Sequence, residues 1–443
     1  MRLSPLKLVS TVLLAIAAGW AQTDPGPRGG APGAGTPIAG LTAGELDFFT
    51  NHGIPVFSEV EDVSDGLGPR FNLDSCGGCH IQPALGGSSP AVNPQVTRLT
   101  LMAPGNTLPS FLSMNGPVRE ARFVKNPDGS PDGGVHALFT ISGRPDKPAG
   151  CSITQPDFAG QVARNNVIFR IPTPTFGLGL VEAITDTTIR NNLSSNGGLK
   201  ALAGIRGHVN TNGNDGTVTR FGWKAQNKSL AIFSGEAYNV EMGVTNVNFP
   251  NEREEDPKCA TNGTPESHDA FNVGSVDPGD ITMFTAFMRF LDQPAPVTSY
   301  GSVTADSINR GKTLFNTIGC NLCHTPSLTS GKSSSAALSN KQVNLYSDLA
   351  VHRMGSTLAD GVTQGSADED EFRTAPLWGL GQRIFFLHDG RTKDLLQAIR
   401  AHTSQCGFRD NNCTESEANI VTGLFNVLPS AQKQDILNFL RSL

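Results

Sequence analysis

The stretch Cys76-Gly77-Gly78-Cys79-His80 and its echo Cys320-Asn321-Leu322-Cys323-His324 decide how this chain is read. In each, two thiols three positions apart can add across the two vinyl groups of a haem, and the following histidine is carried beneath the ring to ligate the iron. With 8 cysteines and 9 histidines in 443 residues, one such spacing arises by chance in roughly 0.3% of chains of this composition, and two far less often. A zinc ribbon would use the four cysteines together and needs no histidine after each pair. A dithiol redox pair asks for a strand-helix-strand context that the flanks lack. The chain therefore reads as carrying two covalently attached c-type haems.

Attachment of such haems takes place outside the bacterial cytoplasm, so an export signal is expected, and residues 1–21 have its form. Arg2 and Lys7 make a positive start, Leu8 to Gly19 a short apolar run, and Gly19-Trp20-Ala21 a cleavage site before Gln22. The apolar run is too short to span a bilayer, no later stretch is long enough, and no cysteine follows it to take a lipid. The expected mature protein is soluble and periplasmic. Loss of Arg2 and Lys7 takes the net charge from -6 to -8, which argues against nucleic acid and anionic membrane surfaces as partners.

Four cysteines remain. Cys406 and Cys413 flank a short Asn, Asp and Gly-rich loop and are expected to pair; Cys151 and Cys259 then pair by elimination. Residues 22–40 are rich in Gly, Pro, Ala and Thr, have little to bury, and read as a flexible leader. Two haem motifs in this length suggest two domains, 41–292 and 300–443, joined by a linker at 293–299 that contains Pro294-Ala295-Pro296. The first opens on Thr42-Ala43-Gly44-Glu45, a capping box. Gly53 to Phe57 and Gly311 to Phe315 look like one Gly-x-x-x-Phe packing device used twice.

A second echo follows each haem motif. Arg170-Ile171-Pro172-Thr173-Pro174-Thr175-Phe176-Gly177-Leu178-Gly179 and Arg373-Thr374-Ala375-Pro376-Leu377-Trp378-Gly379-Leu380-Gly381 share Arg, Pro, an aromatic and Gly-Leu-Gly in one order. The fold expected is mainly α with long irregular loops and a few short strands, as two tandem c-type cytochrome domains, the first enlarged by insertions. Those insertions, 127–134, 191–198 and 210–216, read as turns and not helix. Short strands are expected at 167–169, 218–221 and 343–346. Asp280 to Leu291 reads as the helix closing the first domain, Asp394 to His402 as a helix with His402 on its core face, and Ser430 as the cap of a terminal helix.

At this point the chain resembles the bacterial di-haem cytochrome c peroxidase superfamily, and within it the branch of di-haem oxidoreductases also described as thiol oxidoreductases. The residues that carry the likeness are Gly66-Leu67-Gly68-Pro69 to His80, Phe176 to Ile184, Gly222-Trp223-Lys224-Ala225, Tyr346-Ser347-Asp348-Leu349, Phe386-Leu387-His388-Asp389-Gly390-Arg391 and Ala398 to His402. The resemblance implies a division of labour. One haem, usually the N-terminal one, opens an iron position to peroxide; the other is six-coordinate and passes electrons to it.

It also implies roles. Glu182 matches the family's distal catalytic glutamate. His402 stands where the peroxidases carry a methionine, and is the expected second ligand of the His324 iron, with His352 and Met354 as alternatives. His388 would contact a haem propionate, and Arg373 and Arg391 would pair with propionates. Trp223 or Trp378 would bridge the haems. A calcium ion occurs between the domains of the peroxidase relatives, and the sequence does not place its ligands here. His52, His136, His208 and His268 have no motif around them.

The function expected is a periplasmic di-haem oxidoreductase reducing hydrogen peroxide with electrons from a small redox protein. The alternatives are a non-catalytic electron-transfer cytochrome and a di-haem oxygenase of an organic substrate using dioxygen. What stands opposite His80, whether Met102, Met114, Met242 or a spare histidine, separates them.

Overall fold

In the computed structural model, which describes residues 22–253, 256–267, 278–407 and 413–443, both halves are framed by the same helix crossing. Residues 1–21, His268 and the tip of the 406–413 loop lie outside the described residues, and so does the side chain of Met102. In the first half the expected capping box is present: Thr42 Oγ accepts from the Glu45 N–H at 3.2 Å, and the Glu45 carboxylate accepts from the Thr42 N–H at 2.8 Å. The helix Ala43–Asp47 then runs through a π-helical turn, Phe48–Gly53, into Ile54–Ser58, with Pro55 near the join. Gly53 meets the closing helix Asp280–Phe290 so closely that an added Cβ would lie 3.0 Å from the Cβ of Phe287. In the second half Thr304 caps the helix Ala305–Thr317, and a Cβ on Gly311 would fall 1.9 Å from the Asp435 carbonyl oxygen on the helix Ser430–Leu440. The paired glycines are one device: each lets two helix backbones touch.

The Gly-Leu-Gly echo repeats in three dimensions as well. Gly177 and Gly379 both take left-handed backbone, φ 66° and 69°, which glycine adopts without a Cβ clash, and each starts a short helical turn. A Cβ on Gly179 would fall 1.9 Å from the Arg289 carbonyl oxygen, and one on Gly381 2.2 Å from that of Arg441. Each return segment is thereby seated on the end of its half's closing helix.

Among the described residues the strands are short antiparallel pairs. Glu120–Phe123 pairs with Val167–Arg170 and Val351–Arg353 with Glu371–Arg373; the two remaining ladders are two residues long. The strand expected at 167–169 is present, and of the one expected at 343–346 only Val343 is in a strand, Gln342–Val343. Residues 218–221 make isolated bridges instead, because Arg220 turns to hold the Ile184 and Val218 carbonyls and Asp186. Residues 191–198, expected as turn, lie largely in the helices Asp186–Ser194 and Gly197–Leu202: Thr185 caps the first, Ile189 anchors it, and left-handed Asn196 separates the two. Ser430 is the first helical residue and Pro429 its cap. Both expected disulfides, Cys151–Cys259 and Cys406–Cys413, are present.

The leader departs from expectation more usefully. It has almost no regular structure, as its composition dictates, yet it is strapped to both halves. Asp24 pairs with buried Arg441 at 2.6 Å, the Arg28 N–H donates to the Gly381 carbonyl at 2.7 Å, and Ile38 N–H donates to Phe290 O at 2.8 Å. Polar anchors at fixed points order it where burial alone would not. One hydrophobic core spans the first half and takes in Leu328 to Leu349 and Trp378; a second lies within 308–443.

Between the halves runs a buried polar seam. Arg170 pairs with Asp360 at 2.8 Å, and the Lys224 ammonium sits 3.2 Å from the same carboxylate, with side chains 3%, 0% and 0% exposed. Lys224 Nζ also donates to the Asp368 and Glu371 carbonyls at 2.7 and 2.9 Å and lies over the Phe372 ring. Asp360→Ala strands two buried cations, and should lower unfolding free energy by about 3–5 kcal/mol in denaturant titrations. Burial raises the Asp360 carboxyl, but Arg170 and Lys224 outweigh it and hold the group below the ordinary range. That contribution is therefore full above the unfolded value of about 3.9 and is lost as pH falls from there through the folded value. No helix among the described residues is long and apolar enough to cross a membrane.

Candidate haem cavities

Each CxxCH motif opens into a cavity. The helix Cys76–Cys79 starts on Ser75, whose hydroxyl accepts from the Gly78 N–H, and turns the two unpaired thiols and His80 into a space of about 1190 Å³ counted out to its mouth. His80 Nδ1 donates to the Gly87 carbonyl at 3.0 Å, which leaves Nε2 as the free lone pair. Burial pushes His80 down to about 4, so the ring is neutral, as an iron ligand must be.

The wall of this cavity also carries charged groups of both signs. Glu120, Glu236 and Glu241 line it together with Arg119, Arg122 and Arg170. Glu241 accepts from Asn72 at 2.8 Å and is hydrogen-bonded to Glu120, which in turn is held by Arg122. Burial, then the charge of Glu120, raises Glu241 to about 8. Burial also raises Glu120, but Arg122 and Arg170 outweigh it and carry it below the ordinary range. The pair is split into one acid and one base at neutral pH, the arrangement that proton-transfer sites use. His80 is the only histidine among the described residues lining this space. Met242 Sδ lies 3.7 Å from Cys76 Sγ, Met288 is on the wall, and Met114 is exposed on the surface.

The second cavity, about 1420 Å³ counted the same way, has another character. Cys320, Cys323 and His324 line it with His352, His388 and His402, and no carboxylate does so among the described residues. His324 Nδ1 donates to the Tyr346 carbonyl at 3.0 Å and His402 Nδ1 to the Ala398 carbonyl at 2.8 Å, so both keep Nε2 free. His402 follows the helix Leu395–Ala401, capped by Asp394, which brings it to the wall as the helical spacing implies. Burial lowers both rings, His324 to about 4. His352 is different: its Nε2 lies 2.9 Å from Asp348 and its Nδ1 2.9 Å from Glu417, so both nitrogens are occupied. Met354 also reaches the wall.

Arg373 and Arg383 provide the test of whether a haem fits. Both guanidiniums are buried on this wall, and no carboxylate among the described residues pairs with either. Burial brings both down to about 10, helped for Arg373 by the charge of Arg383. Two buried cations facing a cavity with no anion opposite suit a ligand that brings two carboxylates, and a haem brings two propionates. Together with free thiols and neutral histidines, the donor set fits haem in both places.

Other expected residues fall as follows. His388 lies on the second wall, stacked on Phe372 at 4.4 Å. Arg391 is half-exposed, bonded to Asp389 and the Thr357 carbonyl, and lines neither cavity. Glu182 also lines neither: it accepts from the Leu230 N–H at 2.9 Å, capping the helix Leu230–Met242, and pairs with Arg289 at 2.8 Å. Trp223 lines both cavities, with its indole N–H given to the Ile171 carbonyl, whereas Trp378 is packed in the core against Gly177. No group of three or more His, Cys, Asp or Glu side chains able to hold a metal ion is found among the described residues, and the cation caged at the seam is Lys224 itself. The sequence reading missed Glu120, Glu241, Arg119 and Arg383. Only Arg383 left a trace, as a lone cation beside Ile384-Phe385-Phe386 just after the second Gly-Leu-Gly.

Two such cavities in one chain suit a protein that holds two haems. A family model described as "Di-haem oxidoreductase, putative peroxidase" matches residues 120–443, and the chain belongs to that family. The match covers the second CxxCH motif and begins after the first. No curated protein matches the chain. Among solved structures, hydrazine synthase of Kuenenia stuttgartiensis is similar at 16% identity over 48% of this chain and 60% of that one, with a TM-score of 0.26. That likeness carries no argument about fold or function.

Proposed function

We propose that the protein is an exported, periplasmic c-type di-haem oxidoreductase that reduces hydrogen peroxide in the N-terminal cavity with electrons relayed through the C-terminal one. In this reading residues 41–292 and 300–443 are tandem haem domains, the first enlarged by insertions, and 1–21 is removed on export. The observation that carries it is the contrast between the walls: one histidine with a proton-splitting carboxyl pair in the first cavity, several histidines and no carboxylate among the described residues in the second.

A haem with an open iron position supplies the place where a peroxide oxygen binds and the redox chemistry that breaks the O–O bond. The chain does the rest. His80 would ligate its iron through Nε2. Reduction of hydrogen peroxide to two waters takes up two electrons and two protons; Glu241 holds a proton to give, and Glu120 can receive one and pass it on. Glu182, occupied by Arg289 and the Leu230 N–H, holds two helices together, so the acid-base role expected of it falls to this pair. In the second domain His324 and His402 would ligate the iron, Arg373, Arg383 and His388 would hold the propionates, and Trp223 is the shared wall through which electrons would pass. A small redox protein fits as donor.

Electron spin resonance of the half-reduced protein should show a high-spin ferric signal, and the protein should consume peroxide when given a reduced small cytochrome. Two low-spin centres with no peroxide consumption would make it an electron carrier; oxygen uptake with an apolar substrate in place of peroxide turnover would make it an oxygenase.

A further inference from the structure

The N-terminal cavity has a second oxidisable aromatic in its wall besides Trp223. Tyr238, on the helix Leu230–Met242, is 2% exposed and packs edge-on to Phe284 at 4.9 Å. Its hydroxyl points into a buried acidic nest: it donates to Glu61 at 2.8 Å and lies 3.4 Å from Asp280, to which Ser267 also donates. Glu61 is 3% exposed and its own N–H is held by the Asp74 carbonyl. Of the three tyrosines in the chain, only Tyr238 lines either cavity among the described residues; the Tyr300 hydroxyl faces a backbone carbonyl, which takes no proton.

We infer that Tyr238 is a redox-active tyrosine that stores an oxidising equivalent in the N-terminal cavity, with the Glu61 carboxylate as its proton acceptor. The inference rests on the peroxide reading above. The step balances: the phenol gives one of the two electrons that peroxide reduction consumes and its proton to Glu61, leaving a neutral phenoxyl radical and a carboxylic acid, and the haem held by His80 would supply the other electron. An electron arriving by way of Trp223 later reverses both transfers. A buried phenol is hard to oxidise unless its proton leaves with the electron, and an acceptor within hydrogen-bond reach supplies that exit. Trp223 leads to the second cavity; Tyr238 touches only the first. It is therefore the place where a hole rests when the second haem has no electron to send. Burial, followed by the charges of Glu59, Asp280 and Asp65, raises Glu61 to about 8. Cys76 and Tyr238 are the other titratable groups against it. Because only the ionised carboxyl can accept, radical yield should rise as pH is raised through that range.

The test is rapid-freeze electron spin resonance of the fully oxidised, two-haem protein mixed with one equivalent of hydrogen peroxide, with the haem absorption recorded on the same samples. The expected result is an organic radical whose lines narrow when the protein is made with deuterated tyrosine. It should be lost in Tyr238→Phe, kept in Tyr300→Phe and Tyr346→Phe, and reduced in Glu61→Gln, which still accepts a hydrogen bond but no proton. A radical insensitive to the label, or one lost in Tyr300→Phe or Tyr346→Phe, overturns the assignment to Tyr238; an unchanged yield in Glu61→Gln overturns that of the acceptor. Haem absorption that answers to peroxide with no tyrosine radical sinks this inference alone. Absorption that does not respond sinks the peroxide reading with it.

Discussion

Changing both cysteines of one pair to serine, Cys76 with Cys79 or Cys320 with Cys323, should leave one covalent haem per chain, against the two expected in the parent. All four thiols are unpaired in a chain whose other four cysteines form disulfides, and each pair faces a cavity with its own neutral histidine. Serine removes the sulfur that would bond to the vinyl carbon and leaves His80 or His324 in place. A haem retained by ligation alone is extractable into acidified solvent, whereas a thioether-bound haem is not. Pyridine haemochrome analysis after extraction, with the mass of the intact chain, reads the count directly. The C-terminal variant should also lose more stability. Its cavity is walled largely by apolar side chains from both ends of the half, including Phe315, Phe386, Phe425 and Leu440, and a ring bound there would fill the space between them. Two covalent haems surviving in either variant would refute the attachment sites.

The second large effect is expected at Glu120 and Glu241. Replacing either with Gln keeps a hydrogen-bonding side chain of the same size and removes the capacity to carry the proton, so peroxide turnover should fall by roughly 10²–10⁴ in kcat. Glu182→Gln should leave kcat close to that of the parent, and Glu182→Ala should cost about 1 kcal/mol of stability, as loss of a helix cap does. The pH profile supplies a second readout. Glu241, raised to about 8, is protonated at neutral pH, so activity should be lost as pH rises through that value. Glu120, held below the ordinary carboxylate range, keeps its charge until the solution is acidic. In Glu241→Gln the alkaline limb should disappear. A Glu182→Gln variant as inactive as Glu241→Gln would return the acid-base role to the residue that the family pattern pointed to.

Much of the frame was legible in the residues because it depends on local chemistry. A CxxCH spacing needs only that five consecutive residues turn once, and the capping box at Thr42 and the helix leading to His402 are equally local. The Gly-x-x-x-Phe and Gly-Leu-Gly echoes were legible for another reason: where two backbones touch, only glycine fits, and the constraint is printed twice. The expected turn at 191–198 failed because Asn and Gly there separate two helices that Ile189 and Lys200, both buried, hold against the body. The leader misled because composition reports how little a segment can bury, not which single ion pair, here Asp24 with Arg441, will pin it.

Taken alone, the sequence determined that two thiol pairs with trailing histidines open two like-built halves, each with a return segment seated by glycine. It could not determine what faces those histidines. Glu120 reaches the first cavity from a strand paired with Val167–Arg170 and Glu241 from a helix distant in sequence, and neither position carries a local pattern. The same holds for Arg383, for Trp223 in the wall between the cavities and for the carboxylates that occupy both nitrogens of His352. Proton affinity, free lone pairs and uncompensated charge are set by which groups are brought within a few ångströms of one another and how far water is shut out, and only the folded chain sets those distances.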